Sequence, residues 1–210
     1  QGTTISKSWA DAHVTGVSNV GGLVGDSHQT DLNEVFSDGS VRGERAVGGI
    51  VGFSSLTVIQ DAYSMAAVHA TKGDVDNMGD GGVGGLVGTL FGGRITRAYS
   101  TGAVTAGASD AAVGGVIGLL GNHSVTLERV YWNTETSGQD APVGVVAEGT
   151  DHDTHVENVQ NNIHGRSTVE LQAGLPGGFG GDWQILSGTS YPYFGWRFPD
   201  GPSVISGKAF

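Results

Sequence analysis

The chain has 210 residues, 38 of them Gly, with no Cys, 5 Pro and a formal net charge of −11. Gly at this level without a Gly-X-Y period excludes collagen, and a charged fraction of 15% excludes a charge-driven disordered chain. Ten scattered Lys and Arg make no basic stripe, so nucleic acid is not an expected partner; without Cys there are no disulfides or thiolate metal sites, and no apolar run approaches the roughly 20 residues of a membrane span.

In chain order, two motifs alternate. An aromatic is followed five residues later by Val in Trp9/Val14, Phe36/Val41, Tyr63/Val68 and Tyr99/Val104, and Tyr131 opens a degenerate copy with Thr136 in place of Val. Between these stand four hexapeptides of the type Val-Gly-Gly-Leu-Val-Gly, starting at Val20, Val47, Val83 and Val113. From hexapeptide to the next aromatic is 16, 16, 16 and 18 residues; from aromatic to the next hexapeptide is 11, 11, 20 and 14. A fixed length is what stacked strands require, because one inserted residue turns every later side chain to the opposite face. The variable half holds the loops, around 69–82 and 105–112. Read with period 2, Val20–Gly25 is a strand whose Val20 and Val24 face opposite to Leu23. The repeat lacks a 3.6-residue pattern, which excludes a helical solenoid. The expectation is an all-β parallel β-solenoid (β-helix) of about four to five rungs, with like residues stacked on like.

Gly-Gly-Leu-Val-Gly at 84–88 alternating with Ala-Tyr-Ser-Thr-Gly-Ala-Val at 98–104 resembles the GLUG repeat of bacterial and archaeal surface proteins, including filamentous-haemagglutinin-like adhesins. The resemblance covers about residues 8–138, and 130–139, 167–172 and the Trp183 to Tyr193 region resemble the segment that closes such arrays. It implies a secreted or cell-surface module, structural or adhesive, with cell-surface glycans or proteins as partners. It carries no catalytic residue across, and the chain is not expected to be an enzyme.

The chain thus divides into a repeat region, 1–138, and a tail, 139–210. Residues 139–165 are polar, acidic and without clear periodicity, and read as an irregular loop or rung. Ser167 and Glu170 match a capping box, which predicts a short helix over about 168–173. Seven aromatics then crowd between Phe179 and Phe198. They read as a C-terminal cap over the end of the solenoid, or alternatively as a platform for carbohydrate or a protein partner.

Two polar clusters are candidate metal sites. Asp74, Asp76, Asn77 and Asp80 offer hard oxygen ligands on a Gly-rich loop, which suits Ca²⁺. His152, Asp153 and His155 carry ligand types for Zn²⁺ or Ni²⁺, though no helical zinc motif is present. Other carboxylates of the repeat region, Asp61, Asp110 and Glu128, are dispersed between copies. A carbohydrate-binding or carbohydrate-cleaving β-helix is a further alternative, though cleavage would need such carboxylates to converge on one sheet face. Nothing like the tail precedes Trp9, so an open first rung is expected. Trp9, Val14, Val20 and Leu23 would there meet other copies of the chain, as in an extracellular filament, or neighbouring rungs.

Overall fold

A computed structural model describes residues 2–72, 81–121, 123–149 and 152–203. The chain is mostly β, and its main parallel sheet curls into a half-barrel. Five long strands carry the fold: Thr3–Thr15, Thr30–Gly43, Val51–Ser64, Val87–Ser100 and Val125–Asn133. Each pairs in parallel with the next, and the register sets Trp9 on Phe36, Phe36 on Tyr63, Tyr63 on Tyr99 and Tyr99 on Tyr131. Ser18–Gly21, Arg45–Gly48, Val83–Gly84 and Val113–Gly114 form a second parallel sheet, with Val20, Val47, Val83 and Val113 in register.

The hexapeptides are not single strands. Each bends at its Gly-Gly-Leu centre, between one short strand and the start of the next. Val20, Val47 and Val83 enter one apolar cluster with Val41, Val68 and Val104. Ile50, Leu86 and Val116 enter a larger one together with Val51, Val87 and Ile117, while Leu23 and Val24 pack against its edge. The two repeating motifs thus meet inside the smaller cluster, because the first Val of each hexapeptide packs with the Val that follows each aromatic. The period-2 expectation fails here: Leu23 and Val24 turn to the same cluster because a bend precedes them.

The bend demands Gly for lack of space. A Cβ at Gly49 would lie 2.1 Å from Ser64 Oγ and 2.2 Å from the Gly85 carbonyl oxygen. The crowding comes from a buried serine column beside the aromatics. Ser37 Oγ donates to the Gly49 carbonyl at 2.6 Å, and Ser100 Oγ donates to the Gly115 carbonyl at 2.6 Å. The Gly49 carbonyl also accepts from Gly22 N at 3.1 Å, so the serine adds a second bond to the inter-level one at this bend.

The curl itself comes from residues with left-handed backbone placed at equivalent register positions. Lys7, Glu34, Asp61, Arg97 and Arg129 all have φ between 44° and 55°. Gln29 and Leu56 repeat the device at a second corner, where Gly92 occupies the next level. Such a backbone costs a non-Gly residue about 1–2 kcal/mol, and stacking holds it in place because every neighbour makes the same turn.

The tail corrects two expectations. Residues 139–165 are not an irregular loop. Val143–Val146 extends the sheet beside Ile117–Leu120, helix α1 spans His152–Asn162, and Ile163–Arg166 pairs with Val125–Asn133. Val159 of α1 and Ile163 join the larger apolar cluster, and Asn158 Nδ2 donates to the Val125 carbonyl at 2.7 Å. This segment covers the end of the sheet that the aromatics were expected to cover. The aromatics lie instead along the flank, as shown below. Helix α2, Thr168–Ala173, has the expected capping box, with Ser167 Oγ accepting from Glu170 N and the Glu170 side chain accepting from Ser167 N. No helix among the described residues is long and apolar enough to cross a membrane.

Candidate functional site

The aromatic column and the tail that lies on it form the most elaborate surface of the molecule. Trp9, Phe36, Tyr63 and Tyr99 stack with successive centroid distances of 5.8, 4.7 and 5.2 Å and interplanar angles of 9°, 5° and 2°. Offset stacking of this kind adds about 0.5–1.5 kcal/mol per pair beyond burial. Over this column run two short antiparallel strands of the tail, Trp183–Gln184 and Tyr193–Phe194. Phe194 lies 5.3 Å from Tyr63 and 6.4 Å from Phe36, Trp183 lies 5.9 Å from Tyr99, and Phe179 meets Tyr131 edge-on at 5.9 Å. Arg197 places its guanidinium 4.3 Å from the Trp9 ring centre. The tail therefore spans the flank from the first long strand to the fifth.

Beside the aromatics, two residues earlier in each strand, runs the left-handed column of Lys7, Glu34, Asp61, Arg97 and Arg129. It tethers the tail by charge. Asp61 accepts two bonds from Arg97, at 2.7 and 2.6 Å, and one from Trp183 Nε1 at 2.8 Å. Lys7 Nζ lies 2.7 Å from Asp182 and 3.4 Å from Glu34. Hydrogen bonding to Lys7 lowers the pKa of Asp182, while burial raises that of Glu34, helped by the neighbouring Asp182 and opposed by Lys7. Between column and tail lies a cleft of about 400 Å³, lined by these three carboxylates, Arg97 and Trp183.

Comparison with known proteins found no matching family model, curated protein or solved structure.

The chemistry of the cleft follows from what its groups already hold. Asp61 is committed to Arg97 and the indole, and Asp182 to Lys7. Trp183 is 4% exposed, so its ring is packing and not an open stacking surface. The arrangement works as an electrostatic clasp that holds the tail to the column. Sequence reasoning counted Asp61 among scattered carboxylates and missed the column. Its signal was present, a charged residue two positions before every aromatic: Lys7, Glu34, Asp61, Arg97 and Arg129.

Glu34 gives the clasp a pH dependence. Its folded pKa lies above the ordinary 4.5, so the native state favours its proton. Its contribution is fully present below the unfolded value and is lost as pH rises through the folded one. We therefore expect Glu34→Gln to raise the melting temperature at pH 7 and to change little at pH 4. Equal shifts at both pH values would show that the carboxylate is not penalised in the fold.

The other predicted site residues fall elsewhere. Asp74, Asp76, Asn77 and Asp80 lie outside the described residues. His152, Asp153 and His155 stand in the first turn of α1 and not in a polar loop. His152 Nδ1 is 3.2 Å from the Ala147 carbonyl, and His155 is buried with no partner at Nδ1. No group of three His, Asp or Glu side chains is placed to hold a metal among the described residues. Glu128 pairs with Arg129 at 2.8 Å, and Asp110 sits on an exposed turn. Of the assembly residues, Trp9 is 43% exposed at the outer end of the column, and Val14, Val20 and Leu23 line the first level of the two apolar clusters.

Proposed function

We propose that the chain is a non-enzymatic structural or adhesive module, a β-solenoid of GLUG type displayed outside the cell, whose four to five rungs are clasped along one flank by the tail. The observation that carries this reading is columnar identity. Aromatic rests on aromatic, Ser on Ser, Val on Val and bend on bend, and of the charged side chains beside them Lys7 and Asp61 hold the tail. A stack of this kind is a rigid spacer whose length follows from the number of repeats. Antibody labelling of intact source cells tests it: surface signal is expected, and signal only after lysis overturns it.

A second reading, assembly through the first rung, rests on the Thr3–Thr15 strand. It pairs with Thr30–Gly43 on one side, and its other edge has no strand partner among the described residues. Such an edge offers free amides and carbonyls for backbone pairing, beside the exposed face of Trp9. Upstream rungs or a second copy would both fit it. Sedimentation velocity of the 210-residue chain should show oligomers that grow with concentration and disappear in Trp9→Glu. A monomer at every concentration excludes self-assembly by this chain and leaves the spacer reading untouched.

A further inference from the structure

The clasp brings together three side chains that lie far apart in the sequence. Lys7 Nζ donates to Asp182 Oδ2 at 2.7 Å, across 175 residues of chain. Glu34 Oε2 lies 3.4 Å from the same nitrogen. The carboxyl groups of Glu34 and Asp182 also share a hydrogen bond, which two carboxyl groups can form only with a proton between them. A primary amine, a carboxyl group and a second carboxyl that carries a proton thus stand within reach of one another.

The fold holds each of them in place. Lys7 and Glu34 occupy equivalent left-handed corners of the first two levels, with φ of 44° and 54°. Asp182 opens the short hairpin of the tail. Its carbonyl accepts from Gly195 N at 2.8 Å, and the next residue, Trp183, is bonded to Asp61. Trp183 and Phe194 wall the same cleft and are buried. The Glu34 side chain is 18% exposed, against 52% for Lys7 and 43% for Asp182. The proton carrier is the most enclosed of the three.

We propose that Lys7 and Asp182 condense into an amide, Nζ to Cγ, with Glu34 carrying the protons, so that the clasp becomes a covalent tie between the first long strand and the tail. The inference rests on the clasp described above and not on display outside the cell. The reaction is a condensation of the protein on itself. One proton passes from the Lys7 ammonium to the Asp182 carboxylate, which leaves an amine and an acid. The amine attacks Cγ, an N–C bond forms, and the hydroxyl of the acid departs as water. Glu34 gives its proton to that hydroxyl and takes one from the attacking nitrogen, so it ends unchanged. The balance needs no oxidant and no co-reactant. Contact between the reacting groups replaces the encounter that a reaction between free molecules requires.

The resting pair is ionic. Its own hydrogen bond holds Lys7 above its ordinary pKa and Asp182 below its ordinary one. The first proton transfer therefore runs uphill, and the bond forms slowly after folding. Freshly refolded protein is unlinked, and the comparison of Glu34→Gln at two pH values refers to that state. The chain has no Cys, so a disulfide cannot make this tie.

The test is the intact mass of the whole chain, denatured either directly after refolding or after a week at neutral pH. A species lighter by one water should grow with time, and its digest should contain a peptide in which Lys7 is joined to Asp182. Lys7→Arg keeps the cation and removes the amine, so it should keep its full mass. This variant also separates the tie from loss of water by cyclisation of Asp38 onto Gly39. Glu34→Gln should link about 100-fold more slowly, the share that a positioned acid–base group supplies. The proposal is overturned if the wild type keeps its full mass after the week, or if the loss of water persists in Lys7→Arg. It is equally overturned if the linked peptide joins other residues, or if Glu34→Gln links as fast as the wild type. Each of these results leaves the non-covalent clasp and the spacer reading standing, since neither needs the bond.

Discussion

Gly85→Ala is expected to abolish cooperative folding or to cost at least about 4 kcal/mol, at the upper end of what single substitutions do. The added Cβ would stand 2.2 Å from the Gly115 carbonyl oxygen and 2.8 Å from both Ser100 Cβ and Ser100 Oγ. The first of these atoms is backbone, on the next level of the stack, and cannot swing aside. Moving it would disturb the carbonyl that Ser100 Oγ holds at 2.6 Å, and with it the register of the following bend. Total stability of a domain is about 5–15 kcal/mol, so one methyl group at this point removes a large share of it. Gly180→Ala is the control, since nothing lies within 4 Å of a Cβ there. Its effect should stay within about 0.5 kcal/mol, as for an ordinary surface change. Chemical denaturation followed by circular dichroism compares the two. Similar midpoints for both variants would mean that the bends have slack that the geometry denies.

The sensitivity of this bend was partly legible in the sequence. The constant interval from hexapeptide to aromatic fixed the register, and Phe36, Tyr63 and Tyr99 do stack in it. The hexapeptide's internal bend was not legible from alternation, because Val20, Leu23 and Val24 are all apolar and period-2 counting cannot tell one strand from two joined at a corner. The adjacent Gly pair was the better signal, since glycine in a strand marks close backbone approach or a bend. Charge was misread for a similar reason. Asp61 looks isolated along the chain, yet Arg97 lies one level away and carries the opposite sign.

The tail was legible in composition and not in place. A capping box is local chemistry, so α2 could be read from Ser167 and Glu170 alone. Helix α1 buries His155 and Val159, followed at the next turn by Ile163, a sparse stripe whose first member is a polar residue type. Most of its surface is polar, so hydropathy gave no helix signal. The crowd of aromatics after Phe179 announced a large apolar surface, but nothing in a count of rings distinguishes the end of a stack from its flank. That choice is made by partners distant in sequence: Asp61 for the Trp183 indole, Lys7 for Asp182, and the exposed faces of the column itself.

Tyr99 is where those long-range partners converge, and Tyr99→Ala should be the most damaging change on the flank. Its ring is 0% exposed and stacks 5.2 Å from Tyr63, with Trp183 at 5.9 Å. Truncating a buried aromatic to Ala costs about 3–5 kcal/mol through lost transfer energy and the cavity left behind. The loss also leaves the Pro192 carbonyl without the hydroxyl that now donates to it. Tyr99→Phe separates the two contributions, because it keeps the stack and removes only the hydrogen bond, for an expected cost of about 1–2 kcal/mol. Tyr63→Phe, one level away in the same column, should cost little, because the Tyr63 hydroxyl has no hydrogen-bond partner to lose. Hydrogen exchange then shows where the damage lies. In Tyr99→Ala the amides of 179–198 should lose protection first, while those of the paired strands Val51–Ser64 and Thr30–Gly43 keep theirs, because the tail is held by its contacts to the column and the strands by their own ladder. Uniform loss of protection would show that the tail and the strands unfold as one unit, and a cost for Tyr99→Ala below about 1 kcal/mol would show that the tail does not depend on this ring.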